Sequence, residues 1–361
     1  MKANTEWGPA DPVTEHLNAF RHNVDAHLRG FLTARPEIRH PTLAPLVDEV
    51  IQFVLEGGKR LRPAMCHAGY LAAGGDRPDN CLPAAASLEL WHAAMLIHDD
   101  IADASDTRRG RPTLHRAYEA AHRAQGWAGD AARHGMGTAI LAGDLCLLWS
   151  TELLHATTAT DDRLHEAALL AQEMRGEVVK GQLLDLLEQA NPRNTEGALE
   201  VIHYKTAMYT VERPLRLGAA LAGASPSVQR AFSRIGTSLG MAFQLRDDLL
   251  GTFGHPDTTG KSNLDDLRDG KATVLIAHAR NAANTAQHRH LDTLLGNPDL
   301  TEEQAGVLRT ILDETGARTF GETLLADYTT QARQALGNSS LHPFGAELLN
   351  RLVDQCVSRL G

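Results

Sequence analysis

Residues 87–103 read SLELWHAAMLIHDDIAD. Leu88, Trp91, Ala94, Ile97 and Ile101 recur every three or four positions, the period of a helix face and not the alternation of a strand. The same period runs through RLHEAALLAQEMRGEVVKGQLLDLLEQA at 163–190 and SVQRAFSRIGTSLGMAFQLRDDLL at 227–250. No stretch alternates apolar and polar residues over a full strand. About a dozen helices follow, separated by Gly, Pro, Asn or Asp breaks such as AAGGDRPDN at 72–80 and LGNPD at 295–299. The expected fold is all-α, a single domain over 1–361 with a flexible segment at 1–15. Two connections read as longer polar loops, 120–135 and 251–271, the kind that often serve as lids or binding loops.

Outward from that helix the chain becomes dense in charge. Residues 96–112, LIHDDIADASDTRRGRP, carry four aspartates and three arginines directly after an apolar run. Asp99, Asp100 and Asp103 fall at i, i+1 and i+4, so Asp99 and Asp103 stand one turn apart and can converge on one cation. A few carboxylates with open positions beside them suit Mg²⁺ bound together with a phosphate. Arg108, Arg109 and Arg111 follow, and guanidinium forks match phosphate oxygens. A diphosphate between metal and arginines would neutralise both sets. A second acidic pair, Asp247 and Asp248, again follows an apolar helical pattern. Two such helices facing each other would make a multi-metal cleft. Lys59, Arg60 and Arg62 follow two glycines at an expected helix start. Lys205, Thr206, Lys261 and Lys271 supply further polar groups. Singly each lysine or arginine reads as a surface charge; the combination carries the argument.

The 361 residues are 43% hydrophobic and 22% charged, ordinary for a soluble globular protein. A net charge of −10 speaks against a broad nucleic-acid surface. Cys66, Cys81, Cys146 and Cys356 lie far apart without a CxxC pair, which argues against a zinc site or disulfide framework and fits a reducing cytosol. No apolar signal region is visible at the N-terminus, and no run of about 18 apolar residues suggests a membrane span. The expected location is cytoplasmic.

Taken in order, GGKRLRP, HDDIADASDTRRGRP, GQLLDL, KTAMYT and FQLRDDLL followed by TGK and DDLRDGK resemble the motifs of the trans-isoprenyl diphosphate synthases, the farnesyl and geranylgeranyl diphosphate synthase family. The resemblance implies an antiparallel helical bundle around a central cavity, usually a homodimer. It implies Asp99 and Asp103 on two Mg²⁺ ions with Asp100 in support, and Asp247 on a third. Arg108, Lys205 and Lys261 would hold an allylic diphosphate (dimethylallyl, geranyl or farnesyl). Lys59, Arg62, His92 and Arg109 would hold isopentenyl diphosphate. Thr206 and Gln244 would flank the allylic cation, with Gln182 and Asp185 as further cavity-side groups. His98, beside Asp99, is given a packing or supporting role.

The chain departs from the family pattern at four places. Gly251 stands where the third carboxylate of the second motif is usual, His255 replaces an aspartate, Leu264 replaces a glycine, and Met208 fills an often polar position. Alternatives are a terpene cyclase on the same scaffold, which would not need the isopentenyl site, and a non-catalytic partner subunit, which would be expected to lose the first aspartates. For product length the prenyl tail is expected to run down the helix that carries Asp99, past Met95 and Ala94 to Trp91. A Trp91 floor about 12 Å from Asp99, at about 1.5 Å per residue, leads to a C20 expectation; farnesyl or longer products are the alternative.

Overall fold

The computed structural model describes residues 11–35, 40–191, 194–254 and 263–357. Almost all of it is helical. The N-terminal helix α1 (Pro12–Thr33) starts where Asp11 accepts hydrogen bonds from the Val13 and Thr14 amides, with Pro12 at the first turn. Residues 12–15, expected in a flexible segment, are therefore its first turn. Arg351 pairs with Asp11 and ties that turn to the far end of the chain.

Helices α2 (Ala44–Leu55) and α3 (Leu61–Ala72) lead to α4 (Leu82–Ala102), which is buried nearly all round: Ala84, Leu88, Leu90, Ala94 and Ile97 are among its core residues. A helix apolar on every side belongs at the centre of a bundle. Helix α4 packs on α3, on α1 and most extensively on α6 (Ala131–His155). After α5 (Leu114–Ala124) and α6 come α7 (Asp161–Ala190), α8 (Thr195–Val201), α9 (Arg213–Ala222) and α10 (Pro226–Phe253). A short α11 (Asp265–Arg268) precedes α12 (Val274–Ala282), α13 (Thr285–Leu294), α14 (Glu302–Glu314), α15 (Ala317–Gly337) and α16 (Pro343–Val357). The main core runs through α1–α7, α9, α10, α15 and α16; a smaller one, with Leu249, Leu267, Leu275, Leu308 and Leu312, forms where the end of α10 meets α11–α14.

Three expectations need correction. The 120–135 loop shrinks to 125–130, because α5 and α6 extend into it from both sides. Helix α5 buries Leu114 and Tyr118, one turn apart, together with polar His115, Glu119 and His122, and Arg116 and Arg123 pair with Glu119. Two-residue strands also occur: β1 (Thr107–Arg108) and β2 (Arg111–Pro112) form a hairpin whose central residues, Arg109 and Gly110, both have positive φ (54° and 76°). A two-residue turn of that type matches the natural twist of a hairpin and favours glycine. Finally, α6 is long and apolar enough to cross a membrane by length and composition, with a mean hydropathy of 1.2 over its best window. Of that window 44% is buried inside the protein.

Candidate active site

Helix α4 delivers the first aspartates. Its last residue is Ala102, and the Asp103 amide still bonds the Asp99 carbonyl, so the one-turn spacing holds. Arg108, on the hairpin that follows, returns to the helix end: its Nε lies 2.6 Å from Asp100 Oδ1. Asp100 is buried, and burial raises its pKa against the pull of that guanidinium. Burial, with Asp99 nearby, lifts the Asp103 carboxyl to about 6. Asp103 Oδ1 and Asp100 Oδ2 are buried without a hydrogen-bond partner. Unsatisfied buried carboxylate oxygens fit a hard cation, and the donor set is all oxygen, as Mg²⁺ requires. Among the described residues no three acidic, His or Cys side chains close around one point. Such a site leaves positions to water and phosphate, the usual arrangement for Mg²⁺.

Facing α4 is an unusual helix. Residues Ile202–Glu212 are π-helical, and the Arg213 amide bonds the Met208 carbonyl, five residues back. Neighbouring backbones press on this segment where Cβ atoms are missing: a side chain at Gly181 of α7 would strike the Lys205 backbone, and one at Gly240 of α10 would strike Ala207. The wide turn carries Lys205, Thr206, Tyr209 and Thr210 into the cleft. Lys205 Nζ donates to Asp185 Oδ2 at 2.6 Å and Asp99 Oδ1 at 3.2 Å. Burial acts against the Lys205 ammonium, but Asp99 and Asp185 outweigh it and raise its pKa. Thr206 Oγ1 donates to Gln244 Oε1 at 2.9 Å, and Gln244 Nε2 donates to Asp248 Oδ1 at 2.7 Å, which links the π segment to the second acidic pair. Asp248 is buried, and burial pushes its carboxyl up to about 8. Asp247 is half-buried beside it. Gln182 Nε2 is buried without a partner.

A basic set gathers around His92. Burial, followed by Arg62, Arg109, Arg108 and Arg60, holds this imidazole well below its usual range, so it stays neutral. Its Nδ1 lies 3.1 Å from the Tyr209 hydroxyl. With Tyr209 donating there, the proton sits on Nε2, free to donate to an anion. The Arg62 guanidinium lies 4.2 Å over the Tyr209 ring and donates to Thr210 Oγ1 at 2.8 Å. Arg109 lies over Gly57 and Gly58, which have positive φ, and donates to the Glu56 carbonyl at 2.6 Å. Lys59 is exposed beside this loop. Arg60 takes a structural role: buried in a left-handed conformation (φ 51°), it joins Asp25 of α1 to Glu89 of α4. His98 packs on α6 over Gly143, 3.2 Å from the Ile140 carbonyl.

Contacts thus link Asp99 to Lys205, Asp248 through Gln244 to Thr206, and His92 through Tyr209 to Arg62, while Arg108 reaches Asp100. Lys261 and His255 lie outside the described residues, and Leu264 precedes α11. Sequence reasoning missed Tyr209, Glu56 and the carboxylate of Asp266; Tyr209 was within reach as part of the KTAMYT motif. Of the product-length candidates, Ala94 is fully buried, Met95 half-buried, and Trp91 is buried beneath the Arg175 guanidinium, 4.9 Å from its ring.

Comparison with known proteins identifies the family. Residues 44–313 match the polyprenyl synthetase family. The geranylfarnesyl diphosphate synthase of Aeropyrum pernix is 31% identical over 93% of this chain and 99% of its own length. The geranylgeranyl diphosphate synthase of Methanosarcina mazei is 30% identical over 96% and 98%. Among solved structures, geranylgeranyl pyrophosphate synthase from Corynebacterium glutamicum, complexed with isoprenyl diphosphate and magnesium, aligns with a TM-score of 0.89 at 38% identity, covering 95% of this chain and 99% of that one. The chain belongs to the polyprenyl synthetase family of prenyltransferases.

Proposed function

We propose that the protein condenses isopentenyl diphosphate with an allylic prenyl diphosphate, and that its main product is the C20 geranylgeranyl diphosphate. The observation that carries the condensation is the basic set around neutral His92. A cyclase on this scaffold has no use for it, whereas Arg62, His92 Nε2–H and Arg109 together offer donors to a second diphosphate. The complete Asp99–Asp100–Asp103 group speaks against a non-catalytic subunit. Magnesium, three ions by family pattern, supplies charge neutralisation of the departing diphosphate when bound. Asp99, Asp103 and Asp247 would hold it, and Arg108 and Lys205, with Lys261 by the family motif, would add positive charge at the same leaving group. Preorganised charge of this kind accounts for most of such an acceleration. The Thr206 and Gln244 oxygens lie on the cleft side and favour positive charge developing at the allylic carbon.

The C20 assignment rests on α4. Trp91 stands two turns before Asp99, buried beneath the Arg175 guanidinium, and in this reading its indole is the floor that stops a longer tail. Incubation of purified protein with Mg²⁺, isopentenyl diphosphate and each of dimethylallyl, geranyl and farnesyl diphosphate tests both parts. A C20 diphosphate is expected. Hydrocarbon or alcohol formed without isopentenyl diphosphate would establish the cyclase instead.

A homodimer is part of the same reading. Ile140, Leu141 and Leu148 on α6, with Leu183 and Leu187 on α7, are 45–66% exposed. Large apolar side chains exposed on neighbouring helices suit a second copy of the chain. Leu141→Glu with Leu148→Glu should convert a dimeric sedimentation coefficient to a monomeric one.

A further inference from the structure

The arginines withdrawn from solvent fall into two groups. Arg60 and Arg213 sit against carboxylates and tie helices together, Arg60 through Asp25 and Glu89 and Arg213 through Glu177. Arg62, in the basic set, pairs instead with the Tyr209 ring and the Thr210 hydroxyl. Arg175 of α7 resembles Arg62. Its contacts are an aromatic ring and a hydroxyl, and among the described residues no carboxylate pairs with it. Burial acts on this guanidinium unopposed and lowers its pKa. A cation taken out of water without a countercharge is costly, so its place in the fold calls for a reason.

The guanidinium lies 4.9 Å from the ring centroid of Trp91 on α4, and its Nη2 donates to Ser150 Oγ of α6 at 3.4 Å. One side chain therefore joins three helices. The Arg175 Nε and the Trp91 Nε1 are both buried without a hydrogen-bond partner. Helices α4 and α7 are joined again at the metal end, where Lys205 Nζ bonds both Asp99 and Asp185. From that link Trp91 lies eight residues back along α4 and Arg175 ten residues back along α7. At about 1.5 Å per residue these are depths of about 12 and 15 Å, so the two contacts bracket one stretch between the same helices. A prenyl tail is hydrocarbon and accepts no hydrogen bond. To pass Trp91 it would have to part the guanidinium from the ring and leave a buried cation beside alkyl groups.

We propose that Arg175 is a specificity-determining residue for product length: its charge, held on the Trp91 face, closes the tail path by the cost of displacing a cation, and not by bulk. The stop is then contributed by α7, outside the α4 positions that the sequence singled out. Ser150 orients the guanidinium from α6. This rests on the reading of Trp91 as the floor of the tail path.

Charge and bulk are separated by substitution. Arg175→Met keeps a long unbranched side chain and removes the charge, Arg175→Lys keeps the charge, and Arg175→Ala removes both. These variants, Trp91→Ala and wild type are incubated with Mg²⁺, isopentenyl diphosphate and either dimethylallyl or geranylgeranyl diphosphate as starter. Products are dephosphorylated and separated by chromatography, and kcat/KM is measured for each starter. Arg175→Met and Arg175→Ala should make products longer than those of wild type. Their kcat/KM for geranylgeranyl diphosphate relative to dimethylallyl diphosphate should rise about tenfold, the order of one desolvated cation–π contact. Arg175→Lys should keep the wild-type length. A merely structural role would lower kcat/KM for both starters together and leave their ratio and the product length unchanged, which overturns the proposal. Wild-type length from Arg175→Met beside longer products from Arg175→Ala would make bulk the stop and overturn it too, as would equal lengthening in Arg175→Lys and Arg175→Met. If Arg175→Ala fails to fold, the Met and Lys comparison still decides. Trp91→Ala separates the two levels. If it keeps the wild-type length, the floor reading has failed and the proposal with it; if it lengthens products while every Arg175 variant keeps them, only the present proposal has.

Discussion

Helices α4 and α10 both end in aspartates, yet they build their acidic clusters differently. Helix α4 carries all three carboxylates itself, within five residues, and draws its cations from nearby chain: Arg108 on the adjoining hairpin and Lys205 on the facing π segment. Helix α10 carries two, has glycine at the third place, and has the Asp266 side chain of α11 lying against that glycine. The electrostatics follow. Asp103 reaches about 6 with Lys205 beside it, whereas the more deeply buried Asp248 reaches about 8 with Lys271 as its countercharge. The α4 end gathers its carboxylates from one stretch of chain, whereas the α10 end meets a carboxylate that arrives from another element.

The hardest test of that difference is removal of an α4 ligand. Asp99→Ala or Asp103→Ala should cut turnover on the order of 10²–10³-fold, comparable to losing one preorganised group at a transition-state charge. The same change at Asp247 should cost less if the α10 cluster shares its load. Steady-state kinetics at saturating Mg²⁺ compares the three; an equal loss would erase the distinction.

Next comes the basic set that adjoins α4. Arg62→Ala and His92→Ala should each lower kcat/KM for isopentenyl diphosphate by about 1.5–3 kcal/mol, the range for hydrogen bonds to charged groups. Mg²⁺-dependent pyrophosphate binding should survive. Weakened metal binding in these variants would mean that the two parts of the site are not separable.

The stem of α4 carries a smaller, qualitative effect. Trp91→Ala should lengthen products beyond C20 and Ala94→Phe should shorten them towards C15, read by chromatography of dephosphorylated products. Unchanged chain lengths in both would move the floor to another helix.

The smallest effect separates the clusters by titration. A carboxyl group whose pKa rises on folding binds its proton more tightly in the native state. Its contribution therefore falls as pH rises from 3.8, through about 6 for Asp103 and about 8 for Asp248. In EDTA, wild type should lose about 1.4 kcal/mol per pH unit between pH 6 and 8 relative to Asp248→Asn, measured by denaturant unfolding. Equal slopes would place the Asp248 carboxyl in contact with water.

The α4 end was legible because its information is local. Spacing at i and i+4, an apolar approach and arginines directly following can all be read from one stretch. The α10 end was half legible: the missing carboxylate at 251 was plain, but the approach of Asp266 to that position depends on long-range contacts of Arg268 and Arg309 that span 32 and 57 residues. The neutrality of His92 was hidden for the same reason, since its arginines come from separate elements. The helical content and central place of α4, by contrast, follow from composition and period alone.

The π segment has a consequence for how the chain tolerates insertions and deletions. An α-helix turns about 100° per residue, and the wider π turn advances less, which is why Lys205, Thr206, Tyr209 and Thr210 share one cleft. Deleting one residue between 203 and 211 would let the stretch relax towards an ordinary α-helix without removing any of those four side chains. Lys205 and Thr206 would then swing around the axis relative to Tyr209 and Thr210. The lysine could face Asp99, or the tyrosine could face His92, but not both. Every functional group would remain in the polypeptide while the diphosphate sites lost their alignment, so this helix is a place where the length of the chain matters as much as its chemistry.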